Sequence, residues 1–233
     1  MTTFALVHGG GGSGWDFHLL IPELAARGHD AIAPDLPITD PESGLAEFTE
    51  TVVAALGDRT DVAVVGHSYG GFTAPLVAAK VRARLLVYLA GMIPAPGEPP
   101  GRWWGNTGFE APKGLSETEQ FFNGVPAPLA EACQAHGREQ VSKEWDEPWL
   151  CPPVAPPQAG GSATRHPRKP RVPGHPDVPT RVLLARDDRF FVPDFQRRVA
   201  RERLGIEPDE LDGPHCVPLS HPAALADRLV SYL

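Results

Sequence analysis

The chain has 233 residues, of which 42% are hydrophobic, and a formal charge of −8. This length suffices for one domain with a substantial core, and the acidic balance provides no basic field to attract a nucleic acid or an anionic membrane surface. Only three cysteines occur, odd in number and widely spaced, so no disulfide framework or C-x-x-C metal site is indicated and a reducing, cytoplasmic setting is favoured.

Short apolar runs alternate with longer amphipathic runs along most of the chain. The N-terminus passes directly into the first apolar run, without a signal-peptide pattern, and no stretch is long and apolar enough to span a membrane, so we expect neither export nor insertion. The predicted strands cover 4–8, 30–34, 61–66, 84–90, 180–185 and 206–211. The predicted helices cover about 16–27, 43–56, 70–80, 193–203 and 221–232. Because such alternation requires crossover connections, it predicts an α/β fold with a predominantly parallel sheet of about six strands and helices on both faces.

The middle of the chain departs from this pattern. Prolines and glycines crowd its two ends, which indicates an insertion over the edge of the sheet. Helical patterns within the insertion are confined to about 118–122 and 127–146. Its basic, proline-rich end, about 152–179, is predicted to be a flexible, solvated loop. We therefore predict a core and a cap insertion, with the core formed by 1–91 and 180–233 and the cap by 92–179.

A G-x-S-x-G motif, Gly66-His67-Ser68-Tyr69-Gly70, lies between a predicted strand and a predicted helix. In that context the serine occupies a tight, strained turn and projects from the carboxyl edge of the sheet, as in a nucleophile elbow. Glycine is needed on both sides because larger side chains would collide in so tight a turn. Since the pattern arises by chance in roughly one such chain in ten, its interpretation depends on its partners.

A serine hydroxyl needs a base within hydrogen-bond reach and an acid that orients this base. Asp187 and Asp188 follow the strand that ends at Ala185, and His215 follows the last predicted strand, so all three are expected at the same sheet edge as Ser68. The order serine, acid, histidine is the order used on such sheets. His215 is the predicted base, the other histidines being surface, loop or packing residues. Position alone leaves either aspartate as the acid.

The transition state of acyl transfer also needs hydrogen-bond donors for its oxyanion. The backbone N–H of Tyr69, directly after the serine and at the start of a helix, is one predicted donor. The second is expected from the glycine run 9–12 after the first strand, where Gly10 is the predicted donor. Side chains in this run would obstruct the close approach that the loop must make.

The same glycine run supports a competing hypothesis. Gly9, Gly11 and Gly14 fit the G-x-G-x-x-G fingerprint of a dinucleotide-binding turn, and Asp35 ends the next strand at the expected distance. However, Trp15 would crowd a pyrophosphate at this helix start, and no tyrosine is followed four residues later by a lysine. The fingerprint also leaves the elbow and its partners unexplained. An NAD(P)-dependent oxidoreductase is therefore a remote alternative.

Taken together, these segments resemble the α/β-hydrolase family, and more narrowly its compact branch with plant methylesterases and hydroxynitrile lyases. The resemblance rests on Leu6-Val7-His8-Gly9-Gly10 with Trp15, Ala33-Pro34-Asp35-Leu36-Pro37, the elbow, Asp187-Asp188-Arg189-Phe190-Phe191-Val192-Pro193, and Gly213-Pro214-His215. It implies an acid three residues after the small residue that ends its strand, which selects Asp188. It also implies a lysine after the catalytic histidine in the lyase branch, where this chain has Cys216, so hydrolysis is favoured.

The predicted function is that of a serine hydrolase cleaving a small-molecule ester, lactone or thioester through an acyl-enzyme at Ser68, without cofactor or metal. A lyase, cyclase or small-molecule binder on the same fold is the alternative. The expected partner is a small acyl substrate rather than a nucleic acid or a membrane, and a homodimer is left open. Five cap aromatics are candidates for an apolar substrate pocket, with packing of the cap as the alternative: Trp103, Trp104, Phe121, Phe122 and Trp145.

Overall fold

The computed structural model describes residues 1–151 and 173–233. Its sheet has six strands, all parallel, in the order β2-β1-β3-β4-β5-β6. Their bounds are β1 Thr3–Val7, β2 Asp30–Ile32, β3 Val62–His67, β4 Leu85–Leu89, β5 Thr180–Ala185 and β6 Asp209–Leu211. The predicted parallel sheet is confirmed. The edge strands β2 and β6 are shorter than predicted, because Pro34 and Pro208 lack the N–H group that would extend their pairing.

Helices cover both faces of this sheet, as predicted. Their bounds are α1 Leu20–Ala26, α2 Leu45–Leu56, α3 Ala74–Val81, α4 Pro100–Asn106, α5 Glu117–Phe121, α6 Ala127–Ala135, α7 Pro193–Leu204, α8 Val217–Ser220 and α9 Pro222–Val230. Short 3₁₀ turns cover Gly14–Phe17, Ser68–Gly71 and Lys143–Asp146. Among the helices of the described ranges, none combines the length and the apolar character needed to cross a membrane.

The central strand β3 shows how the core is divided between the two faces. Val62 and Val64 belong to the apolar cluster that α2, α3 and α7 cover, whereas Ala63 and Val65 belong to the cluster covered by α1 and α9. Because side chains alternate across a strand, a strand buried on both faces must be apolar at every position. The strand is therefore packed from both sides up to its carboxyl end at His67, and Ser68 follows.

Between β4 and β5 the chain forms α4, α5, α6 and the turn Lys143–Asp146. Helix α4 was not predicted, because its prolines indicate a break, yet Pro100 stands in the first turn, where a proline is tolerated. The predicted continuous helix over 127–146 is wrong, since α6 ends at Ala135. The N–H of Arg138 donates instead to the carbonyl of Gly11 at 2.7 Å, and this tertiary hydrogen bond replaces a further helical turn.

The predicted flexible loop, about 152–179, lies largely outside the described residues. Its described end, residues 173–179, packs against the rest of the cap. The ring of His175 is buried beside Trp149, with centroids 5.1 Å apart, and Gly174 lies against Pro96. The division into core and cap at residues 92 and 179 stays a prediction.

Candidate active site

Ser68 lies at the carboxyl end of β3, where the strand turns into the 3₁₀ segment Ser68–Gly71. Its φ angle is +51°, in the left-handed region that L-residues adopt only under strain. A Cβ atom at Gly66 would lie 2.6 Å from the Cβ of Ala74, and one at Gly70 would lie 2.5 Å from the carbonyl oxygen of Val7. Both positions therefore require glycine, and the segment has the backbone geometry of a nucleophile elbow.

Asp188 and His215 meet at the same edge of the sheet, on the loops after β5 and β6. Both are 2% exposed, and Oδ2 of Asp188 lies 2.8 Å from Nδ1 of His215. The N–H groups of Phe190 and Phe191 donate to Oδ1 at 2.8 Å each, and Nε2 of Gln196 donates to Oδ2 at 3.2 Å. A carboxylate held in this way accepts a hydrogen bond from Nδ1–H of His215, which leaves Nε2 of that ring as a proton acceptor.

The neighbouring Asp187 has a different position. Its side chain is exposed, and Oδ2 accepts a hydrogen bond from the N–H of Gly213 at 3.0 Å. The N–H of Asp187 in turn donates to the carbonyl of Gly213 at 2.9 Å. Asp187 therefore joins the loop after β5 to the loop that carries His215. Of the two aspartates that position in the sequence could not distinguish, it is Asp188 that the structure brings to the histidine.

Aromatic rings surround the imidazole of His215. The rings of Phe121, Phe190 and Phe191 stand edge-on to it, with centroids at 5.3, 5.6 and 5.4 Å. Phe121 comes from α5 of the predicted cap, whereas the other two lie two and three residues after Asp188. Three phenylalanine rings thus pack against the candidate base, and the ring of His67 lies 5.1 Å from it.

The other four cap aromatics that were pocket candidates lie at different depths. Trp104 is half-buried and packs against Phe190 at 6.2 Å, so it extends the aromatic cluster beyond His215. Trp103 is buried and donates from Nε1 to the carbonyl of Ile93, and Phe122 is buried in a small cluster between cap and core. Trp145 is 48% exposed. Phe121 is the one of the five that contacts His215 among the described residues, and the pocket roles stay predictions.

The glycine run after β1 lies directly against the elbow. A Cβ atom at Gly9 would lie 3.1 Å from the Cβ of Ser68, and one at Gly10 would lie 3.5 Å from the Cβ of Tyr69. Any side chain would therefore push this loop away from the serine. The N–H of Tyr69 belongs to the first turn of a 3₁₀ segment, where N–H groups have no partner within the helix. The two predicted oxyanion donors thus lie on adjacent segments.

Two histidines that the sequence indicated as surface or packing residues support this arrangement. Nε2 of His67 donates to the carbonyl of His215 at 3.0 Å, which fixes the backbone of the candidate base. Nδ1 of His8 donates to the carbonyl of Gly9 at 2.8 Å, while its Nε2 accepts the N–H of Leu36. Burial lowers the pKa of His67 to about 3 and that of His8 to about 4, so both are neutral. Their position at the ends of buried apolar strands was the feature of the sequence from which this supporting role could have been inferred.

These buried neutral histidines predict a stability that declines in acid. Burial also lowers the pKa of His175 to about 4, and all three groups bind a proton on unfolding below their ordinary pKa of 6.5. Their contribution to the free energy of unfolding is complete above pH 6.5. As the pH falls towards 4, this free energy decreases by about 1.4 kcal/mol per pH unit for each group. Urea unfolding followed by tryptophan fluorescence at pH 7.5, 6 and 5 measures this slope. His67→Gln should reduce this slope by the share of one proton, whereas His136→Gln, at an exposed position, should leave the slope unchanged. An unchanged slope in His67→Gln would contradict the conclusion that His67 is buried and neutral.

The glycines of the dinucleotide fingerprint have another structural role here. The N–H of Gly14 donates to Oδ1 of Asp35 at 2.7 Å, and a Cβ atom at Gly14 would lie 1.9 Å from the carbonyl oxygen of Ala33. Oδ1 of the carboxylate that the fingerprint would place at a ribose hydroxyl is therefore bonded to the turn itself, and Trp15 stacks on His136 at 4.4 Å. Within residues 1–151 and 173–233, no three His, Cys, Asp or Glu side chains are grouped as metal ligands.

A parallel sheet in this strand order, with a serine on a strained turn after β3, an acid after β5 and a histidine after β6, defines the class of proteins with the α/β-hydrolase fold. The chain belongs to the alpha/beta hydrolase family, whose family model matches residues 4–228. The resemblance inferred from the motifs is thereby confirmed.

Characterised relatives align with part of the chain. Norfluorocurarine synthase 1 from Strychnos nux-vomica is 29% identical over 119 residues, which are 46% of this chain and 44% of that protein. The carbendazim hydrolyzing esterase of Nocardioides sp. strain SG-4G is 30% identical over 109 residues, 42% of this chain and 45% of that protein. Methylesterase 18 of Arabidopsis thaliana is 34% identical over 106 residues, 40% of each chain. The chain thus spans less than half the length of the relatives that it matches.

Solved structures match the whole chain. Polyneuridine aldehyde esterase superposes with a TM-score of 0.74 at 16% identity, covering 100% of this chain and 99% of that one. The methylesterase MES16 from Arabidopsis superposes with a TM-score of 0.68 at 18% identity and 100% coverage of both. A pyrethroid hydrolase from Sphingobium faniae JZ-2 gives 0.70 at 19%, covering 99% and 96%. At these identities the likeness shows the α/β-hydrolase fold.

Proposed function

We propose that this chain is a serine hydrolase that cleaves a small-molecule carboxylic ester, lactone or thioester through an acyl-enzyme at Ser68. The observation that carries the proposal is the buried pair of Asp188 and His215, 2.8 Å apart, at the same sheet edge as the strained Ser68. A serine so placed gains the base and the orienting acid that its hydroxyl needs. The relatives named as esterases support the same substrate class.

In the acylation step, Nε2 of His215 takes the proton of the Ser68 hydroxyl as Oγ attacks the carbonyl carbon of the substrate. The carbonyl electron pair moves onto oxygen, and the N–H groups of Gly10 and Tyr69 stabilise this oxyanion. Collapse of the tetrahedral intermediate breaks the bond to the leaving alcohol or thiol, which receives the proton from His215. Asp188 stabilises the imidazolium that exists between these two proton transfers.

In the deacylation step, neutral His215 takes a proton from water, and the resulting hydroxide adds to the acyl carbon on Ser68. A second tetrahedral intermediate forms in the same oxyanion site and expels Oγ, which recovers its proton from His215. The products are a carboxylic acid and the free serine. Every proton is thus returned, and the cycle requires only water besides the substrate.

The surroundings of His215 support an apolar substrate. Because Phe121, Phe190 and Phe191 present ring edges to the imidazole, a group bound beside it is transferred from water to aromatic surface. We propose that Phe121 and Trp104 are the cap aromatics that contact this group. Trp103, Phe122 and Trp145 remain weaker candidates.

A non-hydrolytic reaction on the same residues is the second candidate. It is favoured by the similarity to a protein named norfluorocurarine synthase 1. A nitrile lyase of the compact branch is disfavoured, since Cys216 follows His215 where that branch is expected to carry a lysine. Burial raises the pKa of the Cys216 thiol well above its ordinary value, so this side chain stays neutral, and a cysteine has no cationic form that could hold an anionic leaving group.

A cytoplasmic setting is proposed on the cysteine content, and the charge of −8 supports a small-molecule partner rather than a nucleic acid or a membrane. A homodimer stays a prediction, which light scattering at several protein concentrations would test.

The proposed activity is tested with p-nitrophenyl esters from acetate to octanoate, with a lactone and a thioester panel, and with a fluorophosphonate probe. We expect turnover of at least one ester and a single label in the tryptic peptide 60–80, in which Ser68 is the only serine. Absence of both labelling and turnover at every acyl length would refute the serine hydrolase. Enhanced NADPH fluorescence on titration would favour the oxidoreductase instead.

A further inference from the structure

A cap segment of residues 138–144, here called the cap strap, lies over the glycine run 9–12, here called the oxyanion loop. The backbone N–H of Arg138 donates to the carbonyl of Gly11 at 2.7 Å. Oε1 of Gln140 accepts the N–H of Gly11 at 3.0 Å. Both backbone polar groups of Gly11 are therefore bonded to the cap strap. Because glycine has more conformational freedom than any other residue, a loop of four consecutive glycines needs such external restraints to keep one conformation.

The guanidinium of Arg138 supplies further restraints. Its Nε and Nη2 donate to the carbonyl of Gly12 at 3.1 and 2.9 Å, and its Nη1 donates to the carbonyl of Leu36 at 2.9 Å. Nη2 also lies 3.0 Å from Nε2 of His8, whose own Nδ1 is bonded to the carbonyl of Gly9. The planar fork of one arginine thus joins the far end of the oxyanion loop to its start, a geometry that a lysine ammonium cannot reproduce.

These contacts occupy the N–H groups of Gly11 and Gly12 and leave those of Gly9 and Gly10. The N–H of Gly11 is bonded to Gln140, and the N–H of Gly12 is bonded to the carbonyl of Gly9 at 3.3 Å. Among the hydrogen bonds within residues 1–151 and 173–233, none is donated by the N–H of Gly10. Gly10 is also the residue whose Cβ position lies 3.5 Å from Tyr69, the other predicted oxyanion donor.

The cap strap also reaches the residue after the nucleophile. Glu144, 1% exposed, accepts the hydroxyl of Tyr69 on Oε1 at 3.1 Å and an N–H of the Gln140 side chain on the same atom. The carboxylate therefore orients the amide of Gln140, with nitrogen towards Glu144 and oxygen towards Gly11. In this way a single network connects the two segments that carry the proposed oxyanion donors.

We propose that Arg138 is a positioning residue of the oxyanion hole: together with Gln140 it holds the oxyanion loop so that the N–H of Gly10 points at the charge that develops during acyl transfer. The inference rests on the proposed hydrolase function. Since the hole stabilises the transition state rather than the bound ester, loss of the restraint lowers kcat and leaves KM nearly unchanged. A displacement of about 1 Å is enough to cost about a hundredfold in rate.

The test compares Arg138→Met with the matched control Arg102→Met, which removes an exposed arginine of α4 in the same cap. Rates are measured with the best p-nitrophenyl ester, and affinity is measured for a trifluoromethyl ketone of the same acyl chain, which forms a tetrahedral oxyanion adduct. We expect Arg138→Met to lower kcat by about tenfold to a hundredfold, to weaken the ketone by the same factor and to change KM by less than about threefold. Arg102→Met should match wild type in all three.

Gln140→Met serves if Arg138→Met does not fold, since it removes the acceptor for the N–H of Gly11 and the donor to Glu144 but leaves the bonds of Arg138 in place. A loss of kcat of about tenfold, with a melting temperature near that of wild type, is expected. Arg138→Lys should recover little activity, because it restores the charge without the fork. Folded variants that keep wild-type kcat and ketone affinity, or in which only KM changes, would overturn this inference. The proposed hydrolase function would be unaffected by that result. A wild-type protein that neither turns over esters nor reacts with a fluorophosphonate would remove the proposed function and this inference with it.

Discussion

Replacement of Ser68 by alanine is expected to lower kcat for ester hydrolysis by about 10⁵- to 10⁶-fold, to the level that binding and the oxyanion donors alone sustain. The variant lacks the oxygen that forms the acyl-enzyme, at the position that the strained turn, with its φ angle of +51°, presents at the sheet edge. Initial rates and fluorophosphonate labelling measure the loss. The melting temperature should stay close to that of wild type, since alanine occupies the same strained turn without a new clash.

The control for this experiment is Ser231→Ala, which removes an exposed serine near the C-terminus. We expect wild-type rates and full labelling of the peptide 60–80 in this variant. A Ser68→Ala protein that is folded and retains more than about 1% of the wild-type rate would contradict a covalent mechanism, since loss of a nucleophile costs far more than a hundredfold. In that case the non-hydrolytic candidate gains support.

Asp188→Asn is expected to lower kcat by about 10⁴-fold, the loss known when a triad aspartate becomes an amide. The asparagine oxygen can still accept the N–H groups of Phe190 and Phe191, so its NH₂ group is directed at Nδ1 of His215. A donor at this position selects the tautomer that carries its proton on Nε2, and this form cannot accept the proton of Ser68. The measurement is kcat from full saturation curves, with circular dichroism to verify the fold.

Asp187→Asn is the matched control, because it makes the same chemical change one residue earlier in the chain. Its amide oxygen can still accept the N–H of Gly213, and the exposed side chain does not contact His215 among the contacts of the described residues. We expect kcat within about threefold of wild type. Comparable losses in both aspartate variants, or a larger loss in Asp187→Asn, would show that the acid has been assigned wrongly.

The cap contacts each segment that carries a candidate catalytic group. Besides the strap on the oxyanion loop, Nδ2 of Asn123 donates to the carbonyl of Asp187 at 2.9 Å, and the carbonyl of Phe121 accepts the N–H of Cys216 at 3.1 Å. These bonds attach α5 and the turn after it to the loops of the acid and of the base. Residues of the predicted cap therefore support the geometry of the site, so changes in them are expected to alter the rate.

Much of the fold was predictable from the amino-acid sequence because the patterns that indicate its strands and turns are local. A strand buried on both faces must be apolar throughout, and Val62 to Val65 show this directly. The elbow was predictable for a similar reason: its glycines and serine meet the steric demands of a single turn between adjacent elements. The order of acid and histidine follows from which strands they terminate, since parallel strands bring their carboxyl ends to one edge.

Other features depend on contacts between residues far apart in the chain, and only the tertiary structure decided them. Position in the sequence could not distinguish Asp187 from Asp188, because the difference lies in which carboxylate turns inward to His215. The end of α6 and the roles of Arg138 and Gln140 follow from hydrogen bonds to Gly11, more than 120 residues away, and no local pattern encodes a partner at that distance. The amino-acid sequence by itself therefore determined the strands, the elbow and the order of its partners, which arise from local sterics and periodicity. The tertiary structure decided which groups meet, because that depends on how the cap packs on the core.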